Sequence, residues 1–500
     1  MSNVLYDALI APHAANTKTF LIGDDGQEVT FSEFVGLAAQ MAHALCASGV
    51  KPGDRIVVQA PKRIETLTLY AAAVQAGAVY LPLNTAYTTQ ELDYFVSDAT
   101  PSLLICEDIS VDALTPIAAR IGARVLTLNA DGTGTLPTAT IGNPVQFKTV
   151  SRGPADLAAL LYTSGTTGRS KGAMLSHDNL LSNARALTDI WQISSADRLI
   201  HALPIFHTHG LFVAMNTALL AGATVRLMAR FDVDQMIAEI PSSSLLMGVP
   251  TFYTRLLGDT RLTQGLTKNM RLFISGSAPL LAETHIEFTA RTSHYILERY
   301  GMTETNMITS NPYDGFRCAG TVGMPLPGTE VIISDPDTGE ALPHGSIGMI
   351  EVRGPNVFLG YWNMPKKTAE ELRENGFFIT GDLGVIDDQG YLNIVGRLKD
   401  LIISGGYNIY PKEIEDVLNE LPNVLETAVF GVPHPDFGES VVAAIVPVPG
   451  TSVDYDAMDA LLGTKLARFK HPREFVVLDD LPRNTMGKVQ KNVLRANHPA

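Results

Sequence analysis

The 500-residue sequence contains little cysteine, few aromatic residues and no long run of apolar residues. Its three cysteines, Cys46, Cys106 and Cys318, are scattered and lack metal-ligand spacing, so reduced structural thiols are expected. No segment approaches the roughly 20 apolar residues that a membrane span needs. The N-terminus also lacks the basic and apolar segments of a signal peptide. These absences predict a cytoplasmic protein with no membrane partner.

Positive charge is scarce as well, since 37 Lys and Arg residues stand against 52 Asp and Glu residues, giving a net charge of −15. A nucleic-acid binder would show a basic surface, so that class is disfavoured. The segment 465–498 reverses the balance, because eight Lys or Arg residues against three acids give it a charge of +5. Such a segment suits a polyanionic ligand. A solvated basic face is the alternative.

The length and the hydrophobic patterning indicate an α/β protein with two domains. A chain of this length exceeds the roughly 250–300 residues that one core supports. Up to about residue 320, helical and strand patterns alternate, which predicts βα units with parallel sheets. Short strands separated by Asp, Gly and Pro turns then indicate a β region, and a compact α+β unit follows. We place the boundary at Lys399, giving domains 1–398 and 399–500.

The run YTSGTTGRSKG at 162–172 is rich in glycine, hydroxyl side chains and cations. Glycines let the backbone approach a ligand closely, and successive N–H groups in such a bend form an anion site. The preceding apolar segment, 155–161, predicts a strand, and α/β proteins bind ligands at strand ends. The run predicts a polyphosphate site, with a polar surface loop as the alternative. The expected contacts are Thr163, Ser164, Gly165, Thr166, Thr167 and Lys171.

This run is not a Walker A loop. That motif requires G-x-x-x-x-G-K-[ST], whereas Lys171 follows Ser170 and precedes Gly172. A P-loop NTPase is therefore disfavoured, although a nucleotide ligand is not.

Seven segments occur in an order that resembles the adenylate-forming superfamily of acyl-CoA synthetases, firefly luciferase and peptide-synthetase adenylation domains. They are YTSGTTGRSKG at 162–172, SGSAPL at 275–280, ERYGMTET at 298–305, TGDLG at 380–384, GRLKDLI at 396–402, GGYNIYPKEIE at 405–415 and PRNTMGKVQK at 482–491. The resemblance implies a large N-terminal domain and a small C-terminal domain joined by a hinge. It also implies two reactions: a carboxylate attacks the α-phosphate of ATP, giving acyl-adenylate and pyrophosphate, and the thiol of CoA then displaces AMP.

The resemblance assigns roles to individual residues. Lys488 would be the catalytic lysine that bridges the attacking carboxylate and the α-phosphate, Thr303 would lie near that phosphate, and Glu304 would associate with Mg²⁺. Asp382 and Arg397 would bind the ribose, and Lys399 would be the hinge. The residues expected around the adenine and the rest of AMP are Gly276, Ser277, Ala278, Glu298, Tyr300 and Gly301. Those expected along the CoA tunnel, beside the basic segment, are Ser404, Gly405 and Gly406.

Arg299, immediately before the Tyr-Gly-Met-Thr-Glu run, bears on the acid that is activated. A guanidinium beside the acyl pocket is costly against a fatty tail and favourable against a second carboxylate. Arg255 would add a second cation and Ser277 a hydroxyl group. The alternative for Arg299 is a salt bridge to Glu298 or another acid.

The segments HTHG at 207–210, GVPTFYTRLL at 248–257 and LERYGMTETNM at 297–307 resemble malonyl-CoA synthetases. The resemblance implies that Arg299 binds the distal carboxylate, that Thr208 and Met302 shape the pocket, and that His207 gates the carboxylate entrance. The implied reaction is malonate + ATP + CoA → malonyl-CoA + AMP + pyrophosphate, with methylmalonate as a slower substrate.

Other readings remain open at this point. They are an acyl-CoA synthetase for another short, medium-chain or aromatic acid, a stand-alone adenylation domain that loads a carrier protein, and a nucleotide sensor without catalysis. The resemblance also implies acylation of Lys488, which would make a protein acetyltransferase and a deacylase partners of the chain. Acylation would remove the charge of that lysine.

Overall fold

The computed structural model describes residues 2–163, 170–405, 407–484 and 487–498. The expected ligand contacts Ser164, Gly165, Thr166, Thr167 and Gly406 lie outside the described residues. The strands are β1 Thr19–Ile22, β2 Glu28–Thr30, β3 Arg55–Gln59, β4 Val79–Pro82, β5 Leu103–Cys106, β6 Arg124–Thr127, β7 Leu157–Thr163, β8 Lys171–Ser176, β9 Arg198–His201, β10 Thr224–Leu227, β11 Leu245–Gly248, β12 Leu272–Ser275, β13 Ile296–Met302, β14 Asn306–Ser310, β15 Met324–Pro325, β16 Glu330–Ser334, β17 Gly348–Arg353, β18 Phe378–Ile386, β19 Leu392–Arg397, β20 Ile402–Ser404, β21 Tyr407–Ile409, β22 Val424–His434, β23 Gly438–Pro447 and β24 Glu474–Val477.

The helices fall between these strands. They are α1 Val4–Leu9, α2 Phe31–Ala47, α3 Ile64–Ala76, α4 Thr89–Ala99, α5 Val111–Ile121, α6 Thr135–Thr140, α7 His177–Ile190, α8 Asn216–Ala221, α9 Val233–Glu239, α10 Pro250–Leu257, α11 Ala282–Thr292, α12 Pro365–Glu371, α13 Pro411–Asn419, α14 Tyr455–Lys465 and α15 Lys491–Ala496. Across the residues that the structure describes, none of these helices is long and apolar enough to cross a membrane.

Two sheets of mainly parallel strands form most of the chain before residue 320. One has the order β6-β5-β3-β4-β7-β8, and the other has the order β15-β14-β13-β12-β11-β9-β10-β1-β2. In the second sheet the strands from β13 to β1 are parallel, with antiparallel strands at both edges. Parallel strands joined by helices are the outcome that the alternating sequence pattern predicts.

Two further sheets follow, and their strands are antiparallel except for the parallel pair of β23 and β24. The strands β16 to β19 pair in sequence order, and β20 to β24 form the sheet of a smaller C-terminal unit. In β22, Val429 packs into one core while Ala428 and Phe430 pack into another on the opposite face. The period of two therefore buries both faces of this sheet, beneath α13 and α14 on one side and beside α15 on the other.

The predicted α/β class with a large and a small domain is confirmed. The 3₁₀ turn Leu398–Asp400 separates β19 from β20, and the boundary at Lys399 stays a prediction. One local irregularity lies before α8, where residues His209–Met215 form a π-helix. A Cβ on Gly210 would lie 2.1 Å from the carbonyl oxygen of Pro204, so glycine permits this close approach. Single-turn π segments occur often at functional sites.

Candidate active site

The candidate site lies at the carboxyl ends of neighbouring parallel strands. Strands β13, β12, β11 and β9 are adjacent in the large sheet, and their register aligns Gly248, Ser275 and Glu298. The segments 207–210, 250–257 and 276–278 follow β9, β11 and β12. Ligands of open α/β sheets bind at this edge. The structure thus brings together three segments that lie between residues 207 and 278 of the sequence.

Tyr300, Asp382 and Arg397 form one connected polar group. Tyr300 Oη donates to Asp382 Oδ2 at 2.5 Å, and Arg397 Nε lies 2.8 Å from Asp382 Oδ1. Asp382 and Arg397 face each other across β18 and β19, and the nearby carboxylate raises the pKa of Arg397. Asp382 is buried and held from two sides. These contacts fix the orientation of the carboxylate, and its ribose role stays a prediction.

Lys171, at the start of β8, enters a second polar group. Its Nζ lies 3.0 Å from Tyr361 Oη and 3.1 Å from each carboxylate oxygen of Glu371. Tyr361 Oη in turn lies 2.5 Å from Glu371 Oε2 and 3.0 Å from Glu304 Oε1. Burial raises the pKa of Glu304. The lysine of the predicted phosphate loop and the glutamate of the predicted metal site therefore share one tyrosine.

Glu304 fits the Mg²⁺ that the family resemblance implies. The single phenol proton of Tyr361 can serve only one of the two carboxylates at a time, so Glu304 needs a proton or a cation when Glu371 takes it. Mg²⁺ uses few protein carboxylates together with phosphate oxygens, and when bound it would neutralise phosphate charge. The described residues hold no cluster of three or more His, Cys, Asp and Glu side chains that would bind a metal without ATP.

Arg299 is a buried cation in β13. It lies on the opposite face of β13 from Glu298 and Tyr300, because side chains alternate along a strand. Its guanidinium packs on Gly276, where a Cβ would lie 2.4 Å from Cζ. Burial lowers the pKa of Arg299 to about 9, and Nε and Nη2 have no hydrogen-bond partner among the described residues.

The alternative considered for Arg299, a salt bridge to Glu298, is absent from the contacts of the described residues. Glu298 Oε1 instead lies 3.3 Å from His285 Nδ1 and accepts from the Gly320 backbone N–H at 3.2 Å. Arg255 is exposed, with its guanidinium 5.8 Å from the Phe231 ring centroid. The structure therefore leaves Arg299 without a protein counter-ion in the described part of the chain.

Three further polar side chains, all in the HTHG segment, are incompletely hydrogen-bonded, and His209 among them lies within electrostatic range of Arg299. His207 Nε2, Thr208 Oγ1 and His209 Nε2 are buried and lack partners among the residues described. Burial lowers the pKa of His207 to about 4, so its imidazole is neutral at pH 7. His209 Nδ1 lies 3.2 Å from the hydroxyl of Ser277, whose φ of 72° is in the left-handed region. Unsatisfied donors and a strained backbone at one place are typical of a ligand site.

Lys488 reaches this site from the C-terminal unit. Gly487, the preceding residue, packs against Thr251 of α10, and Lys488 backbone N–H donates to Asn484 Oδ1 at 3.0 Å. The surrounding protein lowers the pKa of Lys488, although its side chain still contacts solvent. The charged groups that act on it are Arg397, Asp382, Glu304 and Arg299. Lys488 thus lies between the predicted ribose, metal and carboxylate groups.

The other expected residues occupy the neighbouring turns. Thr303 lies with Glu304 in the turn between β13 and β14, and Met302 ends β13. Ser404 is buried, and the Gly405 backbone N–H donates to the Phe437 carbonyl at 2.8 Å. The remaining members lie on the edge of the site: Thr163 at the end of β7, Ala278 after β12, and Gly301 in β13.

The basic segment is largely compensated by acids of its own domain. Each of five of its cations lies within hydrogen-bonding distance of a carboxylate. The pairs are Lys465 with Glu420, Lys470 with Glu413, Arg483 with Glu426, Lys491 with Glu415, and Arg495 with Asp400. The segment therefore stabilises the C-terminal unit, and its predicted contact with CoA phosphates stays a prediction.

Sequence reasoning missed three participants. His209 lies within the HTHG run, and its spacing after His207 was a signal that the motif offered. Tyr361 and Glu371 contact Lys171 across 190 and 200 residues and belong to no motif recognised above.

A parallel-sheet domain with a buried Tyr–Asp–Arg group, and a smaller unit that supplies a lysine to it, define an adenylate-forming enzyme. Residues 11–362 match the AMP-binding enzyme family, and residues 413–488 match the AMP-binding enzyme C-terminal domain. The chain belongs to the AMP-binding enzyme family and is an AMP-forming acid–thiol ligase.

Similar proteins include ligases of different acids. The chain is 36% identical over 496 residues to a feruloyl-CoA synthase of Amycolatopsis sp, covering 98% of this chain and 96% of that one. It is 35% identical over 481 residues to a malonate–CoA ligase of Arabidopsis thaliana, covering 89% and 78%. The structure of ATP-bound MatB from Rhodopseudomonas palustris has a TM-score of 0.98 and 54% identity, with 99% of each chain covered.

Proposed function

We propose that this ligase activates malonate: malonate + ATP + CoA → malonyl-CoA + AMP + pyrophosphate, through malonyl-adenylate. The single observation that carries the proposal is Arg299, a buried guanidinium without a protein counter-ion in the described residues. Methylmalonate, with one additional methyl group, is the expected slower substrate.

A buried unpaired cation favours an acid with two carboxylates. Burying a charge without a partner is costly, and a bidentate carboxylate removes much of that cost. The first carboxylate must reach the α-phosphate near Lys488, so the second can meet Arg299 only across a short linker. A monocarboxylic fatty acid would leave the guanidinium unpaired against its tail. Charge complementarity therefore selects a short dicarboxylate.

The polar groups beside Arg299 support the same choice. Ser277 and the neutral His209 are hydrogen-bonded to each other, and His209 Nε2 and Thr208 Oγ1 remain available to a ligand. A site built to hydrogen-bond a polar group discriminates strongly against analogues that lack it. An aromatic acid would bury these groups without partners.

The relatives by themselves leave the acid open. A malonate–CoA ligase and a feruloyl-CoA synthase have 35% and 36% identity to this chain. The malonate–CoA ligase supports the proposal, and the feruloyl-CoA synthase makes an aromatic acid the second candidate.

The two half-reactions would use the same pocket in turn. Lys488 would neutralise the attacking carboxylate and the α-phosphate, because two anions must otherwise approach each other. Lys399, in the 3₁₀ turn between β19 and β20, is the proposed hinge. Rotation there would withdraw Lys488 and bring Ser404 and Gly405 to the thiol path.

The test is release of AMP and pyrophosphate with ATP, Mg²⁺ and CoA across malonate, methylmalonate, succinate, acetate, butyrate and ferulate. We expect malonate to have the highest kcat/KM and ferulate to be a poor substrate. A preference for butyrate or ferulate would leave the ligase class intact and refute the dicarboxylate assignment. Adenylation without transfer to free CoA would instead indicate a carrier-protein acceptor.

A further inference from the structure

We propose that Glu371 and Tyr361 are positioning residues that hold Lys171 in place for the phosphates of ATP. The inference depends on adenylation at this site and not on which acid is activated. No motif recognised in the sequence includes either residue.

The ammonium group of Lys171 is held by contacts with two side chains, those of Glu371 and Tyr361. The ammonium group meets both carboxylate oxygens of Glu371 at 3.1 Å and the hydroxyl of Tyr361 at 3.0 Å. It also lies 4.2 Å from the centroid of the Tyr361 ring, within the range of a cation–π contact. The Lys171 side chain is 18% exposed, so it is held at the edge of the site rather than moving in solvent.

Glu371 also has a second cationic partner, so its negative charge stays paired when a phosphate draws Lys171 away. Lys367, four residues earlier on α12, lies 3.0 Å from Glu371 Oε1. Lys171 can therefore turn one N–H toward a phosphate oxygen while Glu371 remains paired with Lys367. Glu371 acts here as an anchor, because its charge stays balanced before and after ATP binds.

Tyr361 connects this anchor to Glu304. Its hydroxyl lies 3.0 Å from Glu304 and 2.5 Å from Glu371, so one side chain sets the separation between Lys171 and Glu304. The resemblance places both Lys171 and Glu304 on the triphosphate. A lysine fixed before binding loses less rotamer freedom when ATP arrives, and this preorganisation favours affinity.

The experiment compares Glu371→Gln with Glu370→Gln. Glu370 lies on the same helix and contacts Lys367 at 2.9 Å, but it has no contact with Lys171 in the described structure. ATP–pyrophosphate exchange measures KM for ATP, and thioester formation from CoA and the supplied acyl-adenylate of the same acid measures the step that has no triphosphate.

We expect Glu371→Gln to raise KM for ATP by about five- to tenfold, from the rotamer freedom of one lysine, and to leave the thioester step within about twofold of wild type. Tyr361→Phe should raise KM by at least as much, since it frees both Lys171 and Glu304. Glu370→Gln should match wild type in both steps. An unchanged or lowered KM in Glu371→Gln, or equal losses in both steps, would overturn the inference.

The acid in the exchange assay is whichever one the substrate panel selects, so failure of the malonate assignment does not affect this test. ATP binding measured by titration calorimetry provides a readout that needs no acid. If Glu371→Gln and wild type bind ATP equally in that experiment, the anchoring role is wrong, even if malonate is the substrate.

Discussion

Replacing Arg299 with Met should make the free enzyme more stable while removing its activity towards malonate. The reason is that Arg299 is fully buried and has no counter-ion in the described residues, so it opposes folding until a ligand neutralises it. Met has a similar length and no charge. Stability and function are therefore expected to change in opposite directions at this position.

The size of the effect follows from the pKa of Arg299, which burial lowers to about 9. Each pKa unit corresponds to about 1.4 kcal/mol, so a fall from above about 12 sets an upper limit of roughly 5 kcal/mol on the cost of the charge. Buried ionic groups replaced by apolar ones usually gain about 1–4 kcal/mol. We expect a gain of roughly 1–3 kcal/mol, seen as a midpoint higher by about 1–4 °C for a domain of about 400 residues.

The sign of the pH dependence is also defined. The folded state binds the Arg299 proton more weakly than the unfolded chain, so the cost is complete below about pH 9 and falls only above it. The stability difference between Arg299→Met and wild type should therefore be constant between about pH 6 and 8.

Thermal denaturation with and without malonate, together with the acid panel, measures these effects. Malonate should raise the midpoint of wild type but not of Arg299→Met, whose activity on butyrate should improve relative to malonate. Arg255→Met serves as the stability control, because Arg255 is exposed. If Arg299→Met is destabilised, or if malonate protects it as well as wild type, Arg299 is a structural residue and the reasoning fails.

Two further predictions concern other residues of the chain. Lys488→Ala should lower the rate of adenylation by about 100-fold or more, because charge neutralisation at the phosphate is lost. Thioester formation from supplied adenylate should persist. Equal losses in separate assays of the two steps would contradict the assignment of Lys488 to adenylation alone. His177 is buried with both ring nitrogens unpartnered in the described structure, and burial lowers its pKa to about 4. The unfolded chain binds the His177 proton more tightly than the folded protein, so the free energy of unfolding falls as pH drops from about 6.5 towards 4. His177→Phe should recover up to about 2 kcal/mol of that free energy at about pH 5. Thermal melting of both proteins at two pH values measures the difference.

The fold was predictable where local pattern and burial agree. The alternating helical and strand patterns predicted βα units, and the structure contains them, for example the strand β3 between the helices α2 and α3. The π-helix over 209–215 was not predictable from periodicity, since it depends on how closely Gly210 approaches Pro204.

The candidate site was predictable only in part. The residue types of the run at 162–172 indicated Lys171, and the family resemblance indicated Glu304, Tyr300, Asp382 and Lys488. Their partners were hidden, since a hydrogen bond such as the one from Lys171 to Glu371 joins residues 200 positions apart. The same holds for the basic segment 465–498. Its net charge follows from the sequence, but the carboxylates that pair with its lysines and arginines are brought there by the fold.

The sequence by itself determined the α/β class, the two-domain organisation and the chemistry of nucleotide activation, because hydrophobic period and motif order are local properties of the chain. From the sequence, a salt bridge between Arg299 and Glu298 remained an alternative. Only the tertiary structure decided that Glu298 pairs with His285 and that Arg299 is buried on the other face of β13. The free charge of Arg299, on which the choice of acid depends, is a property of packing, because a counter-ion can come from any segment that folds against it.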